Sequence, residues 1–238
     1  VTNDLHIVMH VPKTGGQTLR DHFRTKLVFH SEFIHLGPFG VADAQARGIP
    51  AWEERSVEER AKARVILGHY ASVFTKDLVP GPRVVKYCGV LRDPAARVVS
   101  HYNFNVEDKW VRAGNGVPEW SWWYRGQKRN FVCRWIKENF LKENTNDVAD
   151  EQMFDDVTRL LSSFWLLGLT EDYETFSDML CADVGVVATG GVRSNVAGEH
   201  YPRRAVVTPE IAEQVYRDHP VDKALYDWVR ARVGTSKT

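Results

Sequence analysis

The stretch that most constrains this chain lies near its start. Leu5 to Met9 (LHIVM) is a short apolar run with β-branched residues, which reads as a buried strand. His10 to Leu19 (HVPKTGGQTL) follows directly, and TLRDHFRTKL from Thr18 to Leu27 reads as a helix. A strand, a glycine turn and a helix start in this order make an anion site. The backbone N–H groups of Thr14, Gly15, Gly16 and Gln17 can converge on a phosphate-like group, helped by the positive end of the helix. Two glycines let the backbone approach where a Cβ would interfere. Lys13 adds a charge, and the hydroxyls of Thr14 and Thr18 add donors.

This is not the nucleotide-triphosphate loop GxxxxGK[ST], whose lysine follows the glycines and is flanked by a magnesium-binding hydroxyl. Here the lysine comes first. The order Pro12-Lys13-Thr14-Gly15-Gly16 resembles the 5′-phosphosulfate loop of sulfotransferases. On this stretch alone, an ordinary glycine turn between strand and helix stands as the alternative.

Length and composition set the frame. At 238 residues the chain suits one α/β domain with a sizeable core, or two small ones. The 31 basic and 31 acidic residues cancel, which argues against a general nucleic-acid binder. No run approaches the ~18 apolar residues of a membrane span. The opening VTNDLH shows no signal peptide, so a cytoplasmic location is the expectation. Cys88, Cys133 and Cys181 are odd in number and widely spaced, as reduced and mostly buried thiols would be. Repeats, low-complexity tracts and linkers are absent, and one domain spanning 1–238 is expected.

Further along, LVFHSEFIHL (Leu27 to Leu36) reads as a strand region. Ser56 with Glu59 has capping-box spacing and opens a short helix, SVEERAKAR. The run VILGHYAS then reads as a strand ending at Gly68, His69 and Tyr70. A histidine after a strand is often structural. In an open α/β sheet, however, ligands gather beyond the carboxyl ends of strands, where an imidazole can take a proton from a hydroxyl.

The strand RVVKYCGVL (Arg83 to Leu91) leads into RDPAARVVSHYNF, where Asp93 and Pro94 can begin a helix carrying Arg97 and Ser100. An Arg92 fork and the Ser100 hydroxyl make a good pair for a terminal phosphate. Taken singly, a salt bridge and a helix-surface hydroxyl are the plainer readings. Together, Leu91 through Tyr102 (LRDPxxRxxSxY) resembles the 3′-phosphate segment of sulfotransferases that use 3′-phosphoadenosine 5′-phosphosulfate (PAPS), and it lies at the expected distance behind PKTGG.

From Asn105 to Trp135 the chain carries Trp110, Trp120, Trp122, Trp123, Tyr124 and Trp135 among arginines and lysines. These aromatics form either a platform for a sugar ring or aromatic acceptor, or packing onto the domain. Trp135, in FVCRWIKENFL, reads as core, and Gln127 to Arg134 is open to further acceptor contacts. DVADEQMFDDVTRLLSSF (Asp147 to Phe164) is an amphipathic helix whose acidic residues read as a solvated face. A strand WLLGL follows, and Thr170 is a candidate N-cap for the next helix. FWLLGLTEDYETFSDML resembles a sulfotransferase pattern GLTExxxxSLxxL, with Phe176 before Ser177 and Asp178 after it as departures. Gly190 to Arg204 reads as a long loop, Thr208-Pro209 as a helix start, and HPVDKALYDWVRARV as a helix packing Leu225, Tyr226 and Val229.

The likeness covers about Leu5 to Val233. It is nearest to carbohydrate sulfotransferases of the heparan sulfate and uronyl 2-O type and their bacterial relatives. It implies an α/β, P-loop-like three-layer fold with a central, mainly parallel sheet flanked by helices. It also implies transfer of a sulfuryl group from PAPS to a hydroxyl, on a carbohydrate, with no metal. By position, Lys13, Thr14, Gly15, Gly16, Gln17 and Thr18 would hold the 5′-phosphosulfate, and Arg92 and Ser100 the 3′-phosphate. Arg193 and Ser194 would close over the nucleotide. His69 would be the base and Lys13 would face the leaving group. Gln17 departs from the resembled loop, which carries a hydroxyl residue there. A small-molecule kinase and a non-catalytic nucleotide- or glycan-binding module are the competing readings, and oligomeric state is not legible.

Overall fold

The structure, a computed structural model, describes residues 4–188, 190 and 205–235. Its centre is a five-stranded sheet of β1 (Leu5–Met9), β2 (Phe33–His35), β3 (Val65–Gly68), β4 (Val85–Leu91) and β5 (Leu166–Leu169). The order is β2-β3-β1-β4-β5. Every neighbouring pair is parallel, with Ile7 opposite Ile66 on one side and Tyr87 on the other. All five residues of β1 are buried, as expected for the middle strand of a sheet covered on both faces. The expected α/β three-layer architecture is the one observed.

Alternation along β1 divides the core. Val8 packs with Leu19 and Phe23 of α1 (Gly16–Lys26) and with Phe176 and Leu180 of α8 (Tyr173–Val184). Leu5, Ile7 and Met9 face the opposite layer. That layer holds α6 (Phe131–Trp135), α7 (Asp150–Ser162) and α10 (Pro220–Thr235). A third cluster joins α4 (Pro94–Asn105), α5 (Trp120–Arg125) and α9 (Pro209–Asp218) through Val98, Tyr102, Trp123 and Val215. Phe23 is completely buried, and truncating such a side chain to Ala typically costs ~3–5 kcal/mol.

Local chemistry sets several boundaries. Ser56 and Glu59 close their capping box, but the helix they open, α3 (Val57–Arg60), is a single turn. Asp93 caps α4 by accepting from the Ala96 N–H at 2.9 Å, with Pro94 at the first position. Thr208 accepts from Ile211 in the same way at α9. Between β2 and β3, α2 (Pro38–Ala46) also begins on a proline. Both α4 and α6 run on into π-helical turns, Val106–Val111 and Ile136–Leu141. Cys88, Cys133 and Cys181 are free and buried. Among the described residues no helix is long and apolar enough to cross a membrane.

Three expectations need correction. The second strand shrinks to Phe33–His35, with Phe29 making only an isolated bridge to Phe33. Thr170 does not cap α8; it opens a short 3-10 turn, Thr170–Asp172, and the helix follows. The acidic face of α7 is not merely solvated. Asp156 pairs with Lys137, a lysine 3% exposed, and Lys137 also reaches Glu143 at 2.8 Å. A buried ammonium needs such partners, because burial alone disfavours its charge.

Candidate functional site

In a parallel sheet every strand ends on the same side, so residues placed just after β1, β3 and β4 are brought together. From β1 the chain leaves through α1 toward the β2 edge, whereas from β4 it proceeds toward β5. The two neighbouring strands therefore diverge at their carboxyl ends, and the crevice between such strands is where α/β sheets place ligands.

The loop after β1 is a tight turn. Lys13 adopts a left-handed backbone, φ 73°, and so does Gly15, φ 86°. For a residue with a Cβ this conformation costs about 1–2 kcal/mol, a strain of the kind stored at functional turns. Gly16 must lack a side chain, because a Cβ there would collide with the His10 ring. Among the described residues, the backbone N–H groups of Thr14, Gly15 and Gly16 donate to no protein acceptor, so the cradle retains its donors. The two hydroxyls expected to assist it are turned inward instead. Thr14 donates to the Val11 carbonyl at 2.9 Å, and the buried Thr18 hydroxyl lies against that of Tyr173. Gln17 is half-buried at the second position of α1.

Cations surround this loop. The Lys13 ammonium sits 4.1 Å from the centre of the Phe104 ring on α4. Ser100 stands one helical turn before Phe104, on the same face of α4. Arg92 leaves the end of β4 and donates to the Lys13 carbonyl at 3.3 Å. Burial lowers its pKa, with Glu171 and Asp93 acting in opposition, yet a guanidinium remains charged. Arg92 thus lies against the loop and Ser100 is carried on the face of α4 that meets Lys13 through Phe104. Arg193 and Ser194 lie outside the described residues.

His69 is placed by Gly68. At φ 149°, and with a Cβ there certain to strike the Leu36 carbonyl, only glycine fits. The chain turns sharply at that point and carries His69 across the end of β1. There its ring stacks on His10, with centroids 4.2 Å apart, and its Nδ1–H donates to the His10 carbonyl at 2.7 Å. A carbonyl can only accept, so the proton of the neutral imidazole lies on Nδ1 and the lone pair on Nε2. Burial lowers the pKa of His69, and the His10 hydrogen bond partly offsets it. His69 is therefore a neutral base at neutral pH. Beside it, burial and the neighbouring His69 push His10 well below the usual histidine range, and burial with Arg20 brings His35 down to about 4.

Three contributors were not anticipated from the sequence. His10 fixes the tautomer of His69, and Phe104 receives Lys13. Tyr173 donates to the Gly15 carbonyl at 2.9 Å and so braces the turn from α8. The only signal for Phe104 was its i+4 spacing from Ser100. For Tyr173, 158 residues from Gly15, there was none. Trp135 is buried as expected, and its ring meets His69 edge-on at 6.2 Å.

Chemically, the site combines preorganised amide donors, two cations and an unprotonated imidazole around the end of β1. Among the described residues no cluster of His, Cys, Asp and Glu could hold a metal ion. Compared with known proteins, the chain matches no family model and no curated protein.

Proposed function

We propose that this protein transfers a sulfuryl group from PAPS to a hydroxyl of an acceptor, of the carbohydrate class. The observation that carries this reading is His69, held neutral with Nε2 unprotonated, one strand away from an amide cradle that begins with a lysine. The residues present suit the donor. Open N–H groups at Thr14, Gly15 and Gly16 match a 5′-phosphosulfate, while Arg92 and the Ser100 face of α4 match a 3′-phosphate.

The chemistry follows from these placements. His69 Nε2 takes the proton of the acceptor hydroxyl as that oxygen forms a bond to sulfur. The bond from sulfur to the bridging oxygen breaks in line, and negative charge grows on the phosphate. Lys13 and the loop N–H groups meet that charge, each such donor contributing on the order of 3 kcal/mol to barrier lowering. Arg92 and Ser100 position the nucleotide, and alignment is itself a large part of such a barrier. Asp93, the carboxylate at the end of β4, is engaged by Ala96 and by Tyr216 at 2.7 Å, which weighs against its use as the magnesium carboxylate of a kinase.

The test is a sulfate-transfer assay with labelled PAPS, paired with calorimetric titration of the product nucleotide, 3′-phosphoadenosine 5′-phosphate (PAP). Lys13→Ala and His69→Ala should each lower turnover by roughly 100-fold or more, whereas Arg92→Ala should mainly weaken PAP binding. Full activity in His69→Ala refutes the base assignment. Stabilisation by ATP with magnesium but not by PAP refutes the donor assignment.

A further inference from the structure

The Trp-rich segment divides its aromatics between packing and solvent. Trp123 is 6% exposed and locked between Tyr102 and His101, with ring centroids 5.2 and 5.4 Å away. Trp120 stacks on Tyr124 at 5.4 Å. Trp122, on the same short helix, is 55% exposed and meets Trp110 edge-on at 5.7 Å. Trp110, Trp122 and Trp123 line a hollow of about 600 Å³ together with the polar residues Asn105, Arg125 and Gln127. Packing of α5 onto α4 explains the inward rings. It does not explain an indole kept in water over a concave surface.

These polar residues have hydrogen-bonding capacity left over. Asn105 gives its amide nitrogen to His101 Nε2 at 3.0 Å, and Gln127 gives its own to the Trp123 carbonyl at 3.1 Å. Each retains a side-chain carbonyl oxygen able to accept from a hydroxyl. Arg125, the last residue of α5, supplies guanidinium donors. An exposed indole beside planar amides and a guanidinium suits a pyranose ring, with C–H groups on its faces and hydroxyls around its edge.

The wall of the hollow and His69 belong to one series of neighbouring rings. His69 meets Trp135, Phe131 lies one helical turn before Trp135, Phe131 lies 6.3 Å from His101, and His101 abuts Trp123. Asn105 directly follows Phe104, the residue under Lys13. We propose that the Trp110–Trp122 hollow binds one ring of an oligosaccharide acceptor, stacked on Trp122 and contacted by Arg125, Gln127 and Asn105. Its role as an acceptor subsite rests on the transfer reading; saccharide binding stands on the hollow's own residues.

The test uses the full chain and two probes, an unsulfated glucuronate–N-acetylglucosamine hexasaccharide and chitohexaose, followed by tryptophan fluorescence and calorimetry. At least one should bind. Trp122→Ala should weaken it about tenfold or more, with Trp122→Phe retaining most of the affinity and PAP affinity unchanged. Binding of neither hexasaccharide, or binding indifferent to Trp122→Ala, overturns the inference. So does tighter binding of p-nitrophenol than of both sugars. Loss of PAP binding in the wild-type chain, with the hexasaccharide still bound, refutes the donor reading and leaves the saccharide site standing.

Discussion

Three histidines gathered at one end of the sheet give stability a definite dependence on pH. In the folded chain, burial with Arg20 holds His35 at about 4 against 6.5 for the free side chain, and His10 is lowered in the same direction. Between those two values the unfolded chain binds a proton at position 35 that the folded chain refuses. Stability from this group is therefore fully present above pH ~6.5 and lost as pH falls toward ~4, at up to ~1.4 kcal/mol per pH unit. From pH 7.5 to pH 5, His35 alone accounts for a loss of about 2 kcal/mol. The variant His35→Asn removes the titration while keeping an acceptor for the Gly40 N–H, which His35 Nδ1 now accepts at 3.1 Å. Urea unfolding followed by circular dichroism, at half-unit steps across that range, gives both curves. His35→Asn will be less stable than wild type at pH 7.5, since a packed ring is lost. The informative quantity is the change with pH, which should be shallower by about 2 kcal/mol in the variant. Parallel curves would mean that His35 protonates in the fold as readily as in the unfolded chain, and the account of a desolvated histidine cluster would be wrong.

Two other substitutions test the geometry around that cluster. Gly68→Ala should cost about 1–3 kcal/mol and lower the melting temperature by several degrees, because its Cβ has no room beside the Leu36 carbonyl; an unchanged melting temperature would deny the strained turn that delivers His69. Gln17→Thr should leave sulfate transfer within about twofold if position 17 serves the cradle through its backbone alone; a large gain in activity would mark the loop as a weakened phosphosulfate cradle.

Much of the architecture was legible because it rests on local chemistry. β-Branched apolar runs, Asp93-Pro94 and Thr208-Pro209 mark their elements regardless of what surrounds them. Less legible was whatever depends on partners distant in the chain. A solvated acidic face is the natural reading of α7 until Lys137, on another helix, is found buried against Asp156. Thr14 and Thr18 look like phosphate donors until Val11 and Tyr173 take their hydroxyls. The full extent of β2 was overread for a similar reason: only Phe33–His35 finds β3 in register, and the apolar residues before it pack without a ladder.

His69 shows why such a site can be located in sequence yet not understood there. His69 follows a strand, and that much is visible. Its tautomer, however, is set by a carbonyl 59 residues away, and that carbonyl is within reach only because β1 and β3 are parallel neighbours whose ends lie side by side. Two glycines make the approach possible from opposite directions. Gly68 turns His69 inward over β1, and Gly16 leaves room for the His10 ring on which His69 stacks. The Gly-His pair and the second glycine of PKTGG are thus parts of one arrangement. A Cβ at either glycine would move an imidazole before it touched a phosphate. Gly16 therefore serves the imidazole pair as well as the turn, and on the proposed transfer reading damage there should appear in the pH profile of transfer as well as in nucleotide affinity.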